Sequence, residues 1–468
     1  MKKKTGYKIY IAIVLILCLV PLLGMAVRPT TQTTENKKLT EWPALVTQDG
    51  INVHFLEEAG NYFTDHFAFR QELVAADASI RSGVFEVSAV DSVIVGENGW
   101  LYYEATLDDY QHKNSVSDRM LFNIAHNLSL MQQYAQLLGK DFVFTIAPNK
   151  NSLYGENMPD RYQYQIAELS DRERLEPWLL SEQVNYVDLY RLFEAQDKVL
   201  YYERDSHWNN KGAVMVYGAL MEAAGLSGED YEALGYEVVD DYYGDLNLML
   251  YPLGAEQEQD MRYNKEFTWN YTTGSDVTDQ YIQTVCPDGT GNLLMYRDSF
   301  GNTLLPYFAQ TFSQATFSQI VPYQMTDLIT AAPDVVILEK VERHLPTLGK
   351  VTPVMSGILS FPTGKETVYE NGATMKLSKE GSYWKFSGIA DASLLDVDSR
   401  IYLEVSDGNS EGIYEAFCVE LSENGETSDF GYQLYLSEVM LNGSAFEVRV
   451  MAQKADQLLI LYEGTAEQ

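Results

Sequence analysis

The middle of the chain alternates short apolar runs with stretches in which apolar residues recur at helical spacing. Residues 141–147 form a nearly continuous apolar run, which is typical of a strand buried on both faces of a parallel sheet. Further runs of this kind occur at 185–189, 293–296, 317–321 and 334–339, and helical spacing occurs at 119–138, 211–224 and 302–312. Strands that alternate with helices predict an α/β fold with a mostly parallel sheet.

Other parts of the chain show different patterns. Residues 93–96 and 100–103 flank Asn98-Gly99, a dipeptide that favours a tight β-hairpin. The pattern of apolar and polar residues is less regular at 227–290, which predicts an insertion over one end of the sheet. Beyond residue 350, apolar and polar residues alternate at 383–386, 401–405, 432–436, 446–450 and 458–462, with Gly, Asn and Asp between them. This pattern predicts an all-β sandwich.

The chain begins with a lysine cluster and an apolar segment. Residues 9–27 are uncharged and mostly apolar, which is about the length that crosses the hydrocarbon core of a bilayer. The lysines before this run should stay in the cytoplasm, with the rest of the chain outside. We therefore expect an uncleaved transmembrane signal anchor. A cleaved signal peptide is the alternative, because Gly24-Met25-Ala26 resembles a small-residue processing site.

Charge and cysteine content exclude several classes of protein. The formal net charge is −34, and because residues 1–30 carry five basic residues and no acidic one, the rest of the chain carries −39, which argues against nucleic acid as a partner. The three cysteines, Cys18, Cys286 and Cys418, are too few for a disulfide framework, and their spacing fits no zinc motif. Pairing of Cys286 with Cys418 stays open. The sequence predicts neither a metal site nor a cofactor.

Two short segments carry residues suited to nucleophilic catalysis. Asp205 and His207 are two residues apart in an apparently extended segment, so they would share one face of a strand. Ser299 ends an apolar run just before a predicted helix, which places its hydroxyl at the carboxyl edge of the sheet. Imidazole can act as a base for the serine, and a carboxylate can orient the imidazole. The sequence therefore predicts a triad of Asp205, His207 and Ser299.

Simpler roles compete with the triad. Ser299, or Asp298 beside it, could merely cap the following helix. The pair of Asp205 and His207 could belong to a metal site or to the start of a helix that Asn209 or Asn210 caps.

Several further residues are candidates for binding an oxyanion or a substrate. The backbone N–H groups of Ser299 and Phe300 and the side chain of Asn302 lie at the start of a helix, where unsatisfied donors suit an oxyanion. Arg297 precedes them and is a substrate-binding candidate. Lys150 follows a predicted core strand and could bind an anionic or hydroxyl-bearing substrate, or be a solvated loop residue.

Five segments together carry a family resemblance: 35–39, 62–70, 99–102, 205–208 and 297–302. Over about residues 35–345 the chain resembles the DHHW protein family and the wider SGNH-hydrolase-like O-acetyltransferases of the alginate AlgJ/AlgX type. The family name spells Asp-His-His-Trp, and this chain has Ser206 at the second position. Asp205 and His207 are retained. Ser299 follows the Asp-x-His pair in the chain, the reverse of the order in ordinary SGNH esterases.

The resemblance implies an acyl transfer reaction. Ser299 would form an acyl-enzyme, His207 would transfer the proton and Asp205 would orient the imidazole. The implied acceptor is an exported polysaccharide, and the implied partner is a membrane-bound O-acyltransferase that supplies acyl groups. An acetyl esterase with the same triad and a non-catalytic glycan-binding surface protein are the alternatives.

Four domains are predicted on these grounds. Residues 1–28 are the cytoplasmic lysines and the anchor, and 29–90 are a linker with an amphipathic membrane-proximal segment. Residues 91–349 are the SGNH-hydrolase-like catalytic domain, and 350–468 are the β-sandwich. In AlgX-type proteins a carbohydrate-binding module occupies the place of this sandwich.

Overall fold

The structure, a computed structural model, describes residues 2–25, 40–47, 50–70, 72–73, 76–77, 80–81, 88–251 and 254–467. Within the segment 29–90, predicted as a linker with a membrane-proximal part, residues 29–39, 48–49, 71, 74–75, 78–79 and 82–87 lie outside the described residues. Within them, the helices are α1 (Lys2–Gly24), α2 (Phe55–His66), α3 (Leu107–Tyr110), α4 (Asp118–Leu137), α5 (Lys150–Leu153), α6 (Asp171–Ser181), α7 (Leu189–Glu194), α8 (Asn210–Ala223), α9 (Tyr231–Leu234), α10 (Asp245–Leu250), α11 (Gly301–Thr311) and α12 (Asp327–Thr330).

The strands of the same residues fall into several sheets. They are β1 (Val46–Thr47), β2 (Gly50–Ile51), β3 (Val93–Val95), β4 (Leu101–Tyr103), β5 (Asp141–Ala147), β6 (Tyr186–Val187), β7 (Tyr236–Tyr242), β8 (Glu258–Tyr263), β9 (Asn270–Thr273), β10 (Tyr281–Val285), β11 (Asn292–Tyr296), β12 (Gln314–Ser318), β13 (Val335–Val341), β14 (Ile358–Leu359), β15 (Lys365–Val368), β16 (Lys376–Glu380), β17 (Tyr383–Ile389), β18 (Arg400–Ser406), β19 (Glu411–Glu415), β20 (Phe417–Glu423), β21 (Glu426–Ser437), β22 (Ala445–Lys454) and β23 (Gln457–Glu467).

Helix α1 covers most of the apolar run at residues 9–27 that was predicted to anchor the chain in a membrane. Among the residues that the structure describes, no helix combines the length and the apolar character needed to cross a membrane. The transmembrane prediction is therefore not supported.

A seven-stranded sheet forms the centre of the α/β region, in the order β6-β5-β13-β11-β12-β10-β9. The strands from β6 to β12 are parallel neighbours, which confirms the α/β prediction. Strands β10 and β9 join antiparallel at the β12 edge, so the sheet is mixed. They come from the stretch predicted as an insertion over the sheet. That prediction is wrong for this part, because β10 pairs directly with β12 and extends the sheet.

Successive side chains of the buried strands pack alternately into two separate hydrophobic cores, one on each face of the sheet. In β5, Val143 and Ala147 pack on the side of α8 and α11, whereas Phe142, Phe144 and Ile146 pack on the side of α4 and α6. Each fully buried side chain of this size contributes about 1.5–3 kcal/mol. The three main helices, α4, α8 and α11, begin and end within one residue of the predicted bounds. This packing brings the carboxyl ends of β5, β13 and β11 to one edge of the sheet.

Local turn chemistry also follows the sequence. Strands β3 and β4 form the predicted antiparallel hairpin. Asn98 and Gly99 between them have φ values of 54° and 85°, which asparagine and glycine adopt most readily.

The region after residue 350 is rich in strands, and residues 358–467 are called the strand-rich region below. It contains a six-stranded sheet, β14-β19-β18-β22-β23-β15, and a four-stranded sheet, β16-β17-β21-β20. Phe386 and Leu434 of the smaller sheet and Leu403 and Val450 of the larger one lie in a single buried cluster, so the two sheets share a core. Cys286 and Cys418 are both buried free thiols, so the disulfide that the sequence left open is absent.

Buried polar side chains of α4 connect the α/β region to the strand-rich region. Asn127 Nδ2 donates to the carbonyl oxygens of Leu348 (3.0 Å) and Cys418 (2.9 Å), and its Oδ1 accepts from the N–H of Cys418 at 3.1 Å. The buried Arg119 donates to the carbonyl oxygens of Val397 and Ser399 at 2.8 and 2.7 Å. The strand-rich region is thus fixed to α4 through its backbone.

Charged groups add to this connection. Arg400 of β18 pairs with Glu182 at 2.9 Å and with Glu415 at 3.2 Å. The fully buried His126 of α4 lies between the same two carboxylates, at 3.4 and 3.6 Å. Each carboxylate therefore has a cationic partner and an imidazole beside it.

Replacing Asn127 with alanine should destabilise the whole fold. The N–H and carbonyl oxygen of Cys418 would be left buried without partners, at a cost of about 2–4 kcal/mol in the free energy of unfolding. Urea denaturation monitored by circular dichroism measures this change. The control is Asn442→Ala at an exposed loop position, which should stay within about 0.5 kcal/mol of the unchanged protein. Equal stability of the two variants would refute the role of Asn127.

Candidate active site

The segment around Asp205 is a tight loop. Tyr201 and Trp208 form an isolated antiparallel bridge, and residues 203–207 turn between them. The predicted extended segment is therefore wrong, although Asp205 and His207 do contact each other. Oδ1 of Asp205 accepts hydrogen bonds from the backbone N–H (2.8 Å) and the ring Nδ1 (2.7 Å) of His207. Aspartate favours such local turns, because its short side chain reaches the backbone two residues on.

Ser299 lies in the turn between β11 and α11, where the sequence places it. Its Oγ is 2.8 Å from Nε2 of His207. Together with the contact to Asp205, this makes one continuous chain of hydrogen bonds through the three side chains. Because the Asp205 carboxylate accepts at Nδ1, that nitrogen carries the hydrogen and Nε2 can accept from the serine hydroxyl.

Asp298 holds the turn that carries Ser299. Its two carboxylate oxygens accept from the N–H of Phe300 (3.1 Å) and from the N–H of Val341 at the end of β13 (2.7 Å). Its own N–H donates to Glu339 at 3.0 Å. Burial, with the nearby charge of Asp298, raises the pKa of Glu339 well above its usual range. The turn is thus fastened to β13 by Asp298, which leaves the Ser299 hydroxyl to face the imidazole.

The second carboxylate oxygen of Asp205 is held by residues from the irregular stretch. Oδ2 accepts from the hydroxyl of Tyr242 and from the N–H of Asp245, both at 2.8 Å. A Cβ at Gly244 would lie 2.3 Å from the carbonyl oxygen of Arg204, so only glycine permits this approach. Sequence reasoning missed Tyr242 and Asp245, because they lie 37 and 40 residues after Asp205 and show no periodic pattern.

Lys150 is buried beneath the loop, so both roles considered for it, substrate binding and a solvated loop position, are wrong. Its Nζ donates to the carbonyl oxygens of Tyr202 (3.1 Å), Glu203 (2.9 Å) and Asp205 (2.6 Å). The side chain is only 4% exposed. Burial lowers the pKa of Lys150 to about 8, against the opposing effect of the surrounding carboxylates. Lys150 therefore supports the loop and does not reach a substrate.

Arg297 is also a supporting residue, and the prediction that it binds substrate is wrong. It is 1% exposed and donates to Oδ1 of Asn302, to the carbonyl oxygen of Asp298 (3.1 Å) and to those of Val277 (2.8 Å) and Asp279 (3.1 Å). A guanidinium group can only donate hydrogen bonds. The contact therefore assigns the amide oxygen of Asn302 to Arg297 and leaves the amide Nδ2 as a donor.

Two donors near Ser299 are available to an oxyanion. The N–H of Phe300, one of the predicted donors, is taken by Asp298. Within the described part of the chain, neither the N–H of Ser299 nor Nδ2 of Asn302 donates a hydrogen bond. Of the predicted oxyanion donors, these two are therefore the ones that another group in the described residues does not already bind.

The charges around His207 favour its protonated form. Burial lowers the pKa of His207, but the charge and hydrogen bond of Asp205 and the charge of Asp245 outweigh burial and the opposing charge of Arg343, so the pKa rises above the ordinary 6.5. Burial alone would raise the pKa of Asp205, but the charge and hydrogen bonds of His207 and the N–H of Asp245 hold it well below its usual range. Burial and the charge of Asp205 raise the pKa of Asp245. The imidazole can therefore take up a proton and hold it.

Asp205, His207 and Asp245 also meet one spacing criterion for a metal site. One ligand atom from each lies within 4.8 Å of the others. The atoms concerned already make hydrogen bonds to one another or to Ser206, which account for the arrangement without an ion.

An open cleft of about 990 Å³ borders the loop at Arg204. Its walls include Gly96 and Asn98 of the β3–β4 hairpin, Arg161 and Asn247. The volume is at the upper end of the range for ligand pockets.

Residues 93–320 match the family model described as SGNH hydrolase-like domain, acetyltransferase AlgX. No curated protein matches the chain.

Several solved structures are similar. PatB1 of Bacillus cereus has 16% sequence identity and a TM-score of 0.44, over 54% of this chain and 96% of that chain. A DHHW family protein of Eubacterium siraeum has 13% identity and a TM-score of 0.40, over 55% of this chain and 95% of that one. The O-acetyltransferase domain of Pseudomonas putida AlgJ has 18% identity and a TM-score of 0.35, over 55% and 92%.

The matched residues include the loop at 203–207 and Ser299. The family resemblance read from the sequence is thereby confirmed: residues 93–320, about half of the chain, are similar to the SGNH hydrolase-like domain of the acetyltransferase AlgX.

Proposed function

We propose that this protein is an extracytoplasmic O-acetyltransferase that moves acetyl groups onto a cell-surface or secreted polysaccharide through an acyl-enzyme on Ser299. One observation carries the proposal: the hydrogen-bonded chain from Asp205 through His207 to Ser299, with contacts of 2.7 and 2.8 Å. The match to the AlgX acetyltransferase family supports acyl transfer as the reaction class.

The first half of the reaction loads the enzyme. Ser299 Oγ attacks the carbonyl carbon of the acyl donor while its proton passes to Nε2 of His207. The negative charge that develops on the carbonyl oxygen is stabilised by the N–H of Ser299 and Nδ2 of Asn302. The bond to the leaving group breaks, the leaving group takes the proton from the imidazolium, and the acetyl ester of Ser299 remains.

The second half transfers the acetyl group to the acceptor. A sugar hydroxyl attacks the acetyl ester and gives its proton to Nε2 of His207. The bond between the carbonyl carbon and Ser299 Oγ breaks, and the proton returns to Oγ. Asp205 stays ionised throughout and holds the imidazole in one tautomer. Water in place of the sugar hydroxyl would give an esterase.

The proposed acceptor is a polymer. The cleft beside Arg204 is large, and its walls include the polar side chains of Asn98, Arg161 and Asn247, which can bind hydroxyl groups. We also propose that the strand-rich region binds a glycan.

The cellular setting is also part of the proposal. The lysine cluster ahead of the apolar run at residues 9–27 supports export, and we propose a bacterial cell-surface location. A membrane-bound O-acyltransferase is the proposed acyl supplier. Loss of surface O-acetylation after deletion of such a partner would support this pairing, whereas unchanged acetylation would count against it.

Ser299→Ala should abolish acetyl transfer. Without the hydroxyl no acyl-enzyme forms, so turnover of an activated acetyl ester should fall about 10⁴-fold or more. The matched control is Ser393→Ala, an exposed serine of the strand-rich region, which should keep full activity. Retained activity in Ser299→Ala would refute the mechanism.

The same assay separates transfer from hydrolysis. Purified protein is given the acetyl ester with and without polysaccharide, and NMR detects O-acetyl groups on the glycan. We expect acetylated glycan and less free acetate when glycan is present. Free acetate release that no glycan changes would favour the esterase.

Acetylation of the enzyme should depend on pH through His207. Only neutral imidazole can accept the serine proton, so kcat/KM should rise with pH through an apparent pKa above 6.5. Asp205→Asn removes the charge that most strongly raises this pKa, so the rise should move to lower pH. The control Asp160→Asn alters a cleft carboxylate and should leave the profile unchanged. A rise centred well below 6.5 in the unchanged enzyme would contradict this assignment.

Asn302→Ala should lower kcat about 10²–10³-fold, because it removes one oxyanion donor. Steady-state kinetics with the acetyl ester measures the loss. Gln319 also contacts Oδ1 of Asn302, at 3.4 Å, without acting as an oxyanion donor, so Gln319→Ala is the control. Similar losses in both variants would assign Asn302 a structural role only.

A further inference from the structure

Asp245 contacts the catalytic loop at three points. Its N–H donates to Asp205 Oδ2 at 2.8 Å, its Oδ1 accepts from the N–H of Ser206 at 2.8 Å, and its Oδ2 accepts from the Ser206 hydroxyl at 2.6 Å. The close backbone approach at Gly244 makes these contacts possible. A carboxylate from outside the loop therefore lies against the residue that separates Asp205 from His207.

The serine hydroxyl connects this carboxylate to the imidazole. Ser206 Oγ lies 3.2 Å from Nδ1 of His207, while its single hydrogen is directed to Asp245. The oxygen lone pairs are then free to accept from Nδ1, which carries a hydrogen because Asp205 accepts there at 2.7 Å. Nδ1 thus has two acceptors, one a carboxylate and the other a hydroxyl polarised by a carboxylate.

The other groups around the imidazole of His207 do not act as acceptors for Nδ1. Phe300 packs against the ring with centroids 4.7 Å apart and carries no charge. Arg343, beyond the end of β13, opposes protonation of His207. Lys150 lies beneath the loop and binds its carbonyl oxygens. Asp205 and Asp245 are the anionic groups of the described residues that face the ring, and Asp245 Oδ2 is 3.7 Å from Nδ1.

We propose that Asp245 is a positioning residue that acts through Ser206 as a second carboxylate for His207. This inference rests on the proposed acyl transfer. When Ser299 gives up its proton, the positive charge on the imidazolium is stabilised directly by Asp205 and, through the Ser206 hydroxyl, by Asp245. The contact from Asp245 through the Ser206 hydroxyl also keeps the hydrogen on Nδ1. His207 therefore retains its reactive tautomer even when Asp205 is replaced.

The test compares pH profiles of acetyl ester turnover. Asp245→Asn and Ser206→Ala should each lower kcat about tenfold. Asp245→Asn should also move the acid limb of kcat/KM to lower pH by about 0.5. Ser206→Thr retains the hydroxyl and should restore most of the activity that Ser206→Ala loses. In an Asp205→Ala background, Asp245→Asn should cost more than it does alone, because it then removes the last carboxylate that acts at Nδ1.

NMR titration provides a readout that does not depend on catalysis. In Ser299→Ala protein, the imidazole pKa of His207 should be lower when Asp245→Asn is added, and circular dichroism should show the same fold. An unchanged pKa and an unchanged pH profile would make Asp245 a loop contact only and overturn this inference. Absence of Ser299-dependent activity would instead overturn the proposed function, and the titration would still decide the role of Asp245.

Discussion

One buried ammonium group determines the shape of the loop at residues 203–207. Lys150 binds three carbonyl oxygens of a four-residue segment, and without it those oxygens would converge on an empty space. Burying an ammonium ion costs several kcal/mol unless partners compensate. Here the carbonyl oxygens and nearby acids do so, and the pKa of Lys150 falls only to about 8. The loop conformation that brings Asp205 to His207 therefore depends on a buried charge that lies beneath the loop.

The other half of the site depends on a different strand. Lys150 directly follows β5, whereas Asp298 fastens the Ser299 turn to Val341 at the end of β13. Strand β13 pairs with β5 on one side and with β11 on the other. His207 and Ser299 therefore reach hydrogen-bonding distance only when these three strands are in register. The geometry of the site therefore depends on the pairing of the sheet.

The sequence predicted the frame of the fold and three of the residues that meet in the site. Strong periodicity located α4, α8, α11 and the parallel strands, because burial on one or both faces leaves a readable pattern. Local patterns cannot show which groups a buried cation binds, so the sequence leaves Lys150 between substrate binding and a solvated loop position and makes Arg297 a substrate-binding candidate. Both turn out to bind backbone or side-chain oxygens within the protein.

The contribution of the irregular stretch was also beyond sequence reasoning. Tyr242 and Asp245 reach Asp205 across a long separation, and only the fold brings them together. Asp205 and His207 were identified by residue type, but their contact comes from a turn and not from a shared strand face. The residue types that a triad needs, a carboxylate, an imidazole and a hydroxyl, therefore predicted the contact between these side chains. The extended backbone predicted for Asp205 and His207 did not.

The interface at α4 has a consequence for how this protein can vary. Asn127 and Arg119 donate to backbone carbonyl oxygens of the strand-rich region, which any residue provides, so Val397, Ser399 and Cys418 can vary without loss of these hydrogen bonds. Phe430 is more constrained, because its ring lies 4.7 Å from the guanidinium of Arg119. Because of the same hydrogen bonds, we expect the α/β region to be unstable when it is separated from the strand-rich region. Cutting the chain after residue 350 would expose α4 to solvent and leave the buried side chains of Arg119 and Asn127 without their partners in the strand-rich region. The two regions are therefore expected to be inherited together, with sequence drift tolerated on the strand side.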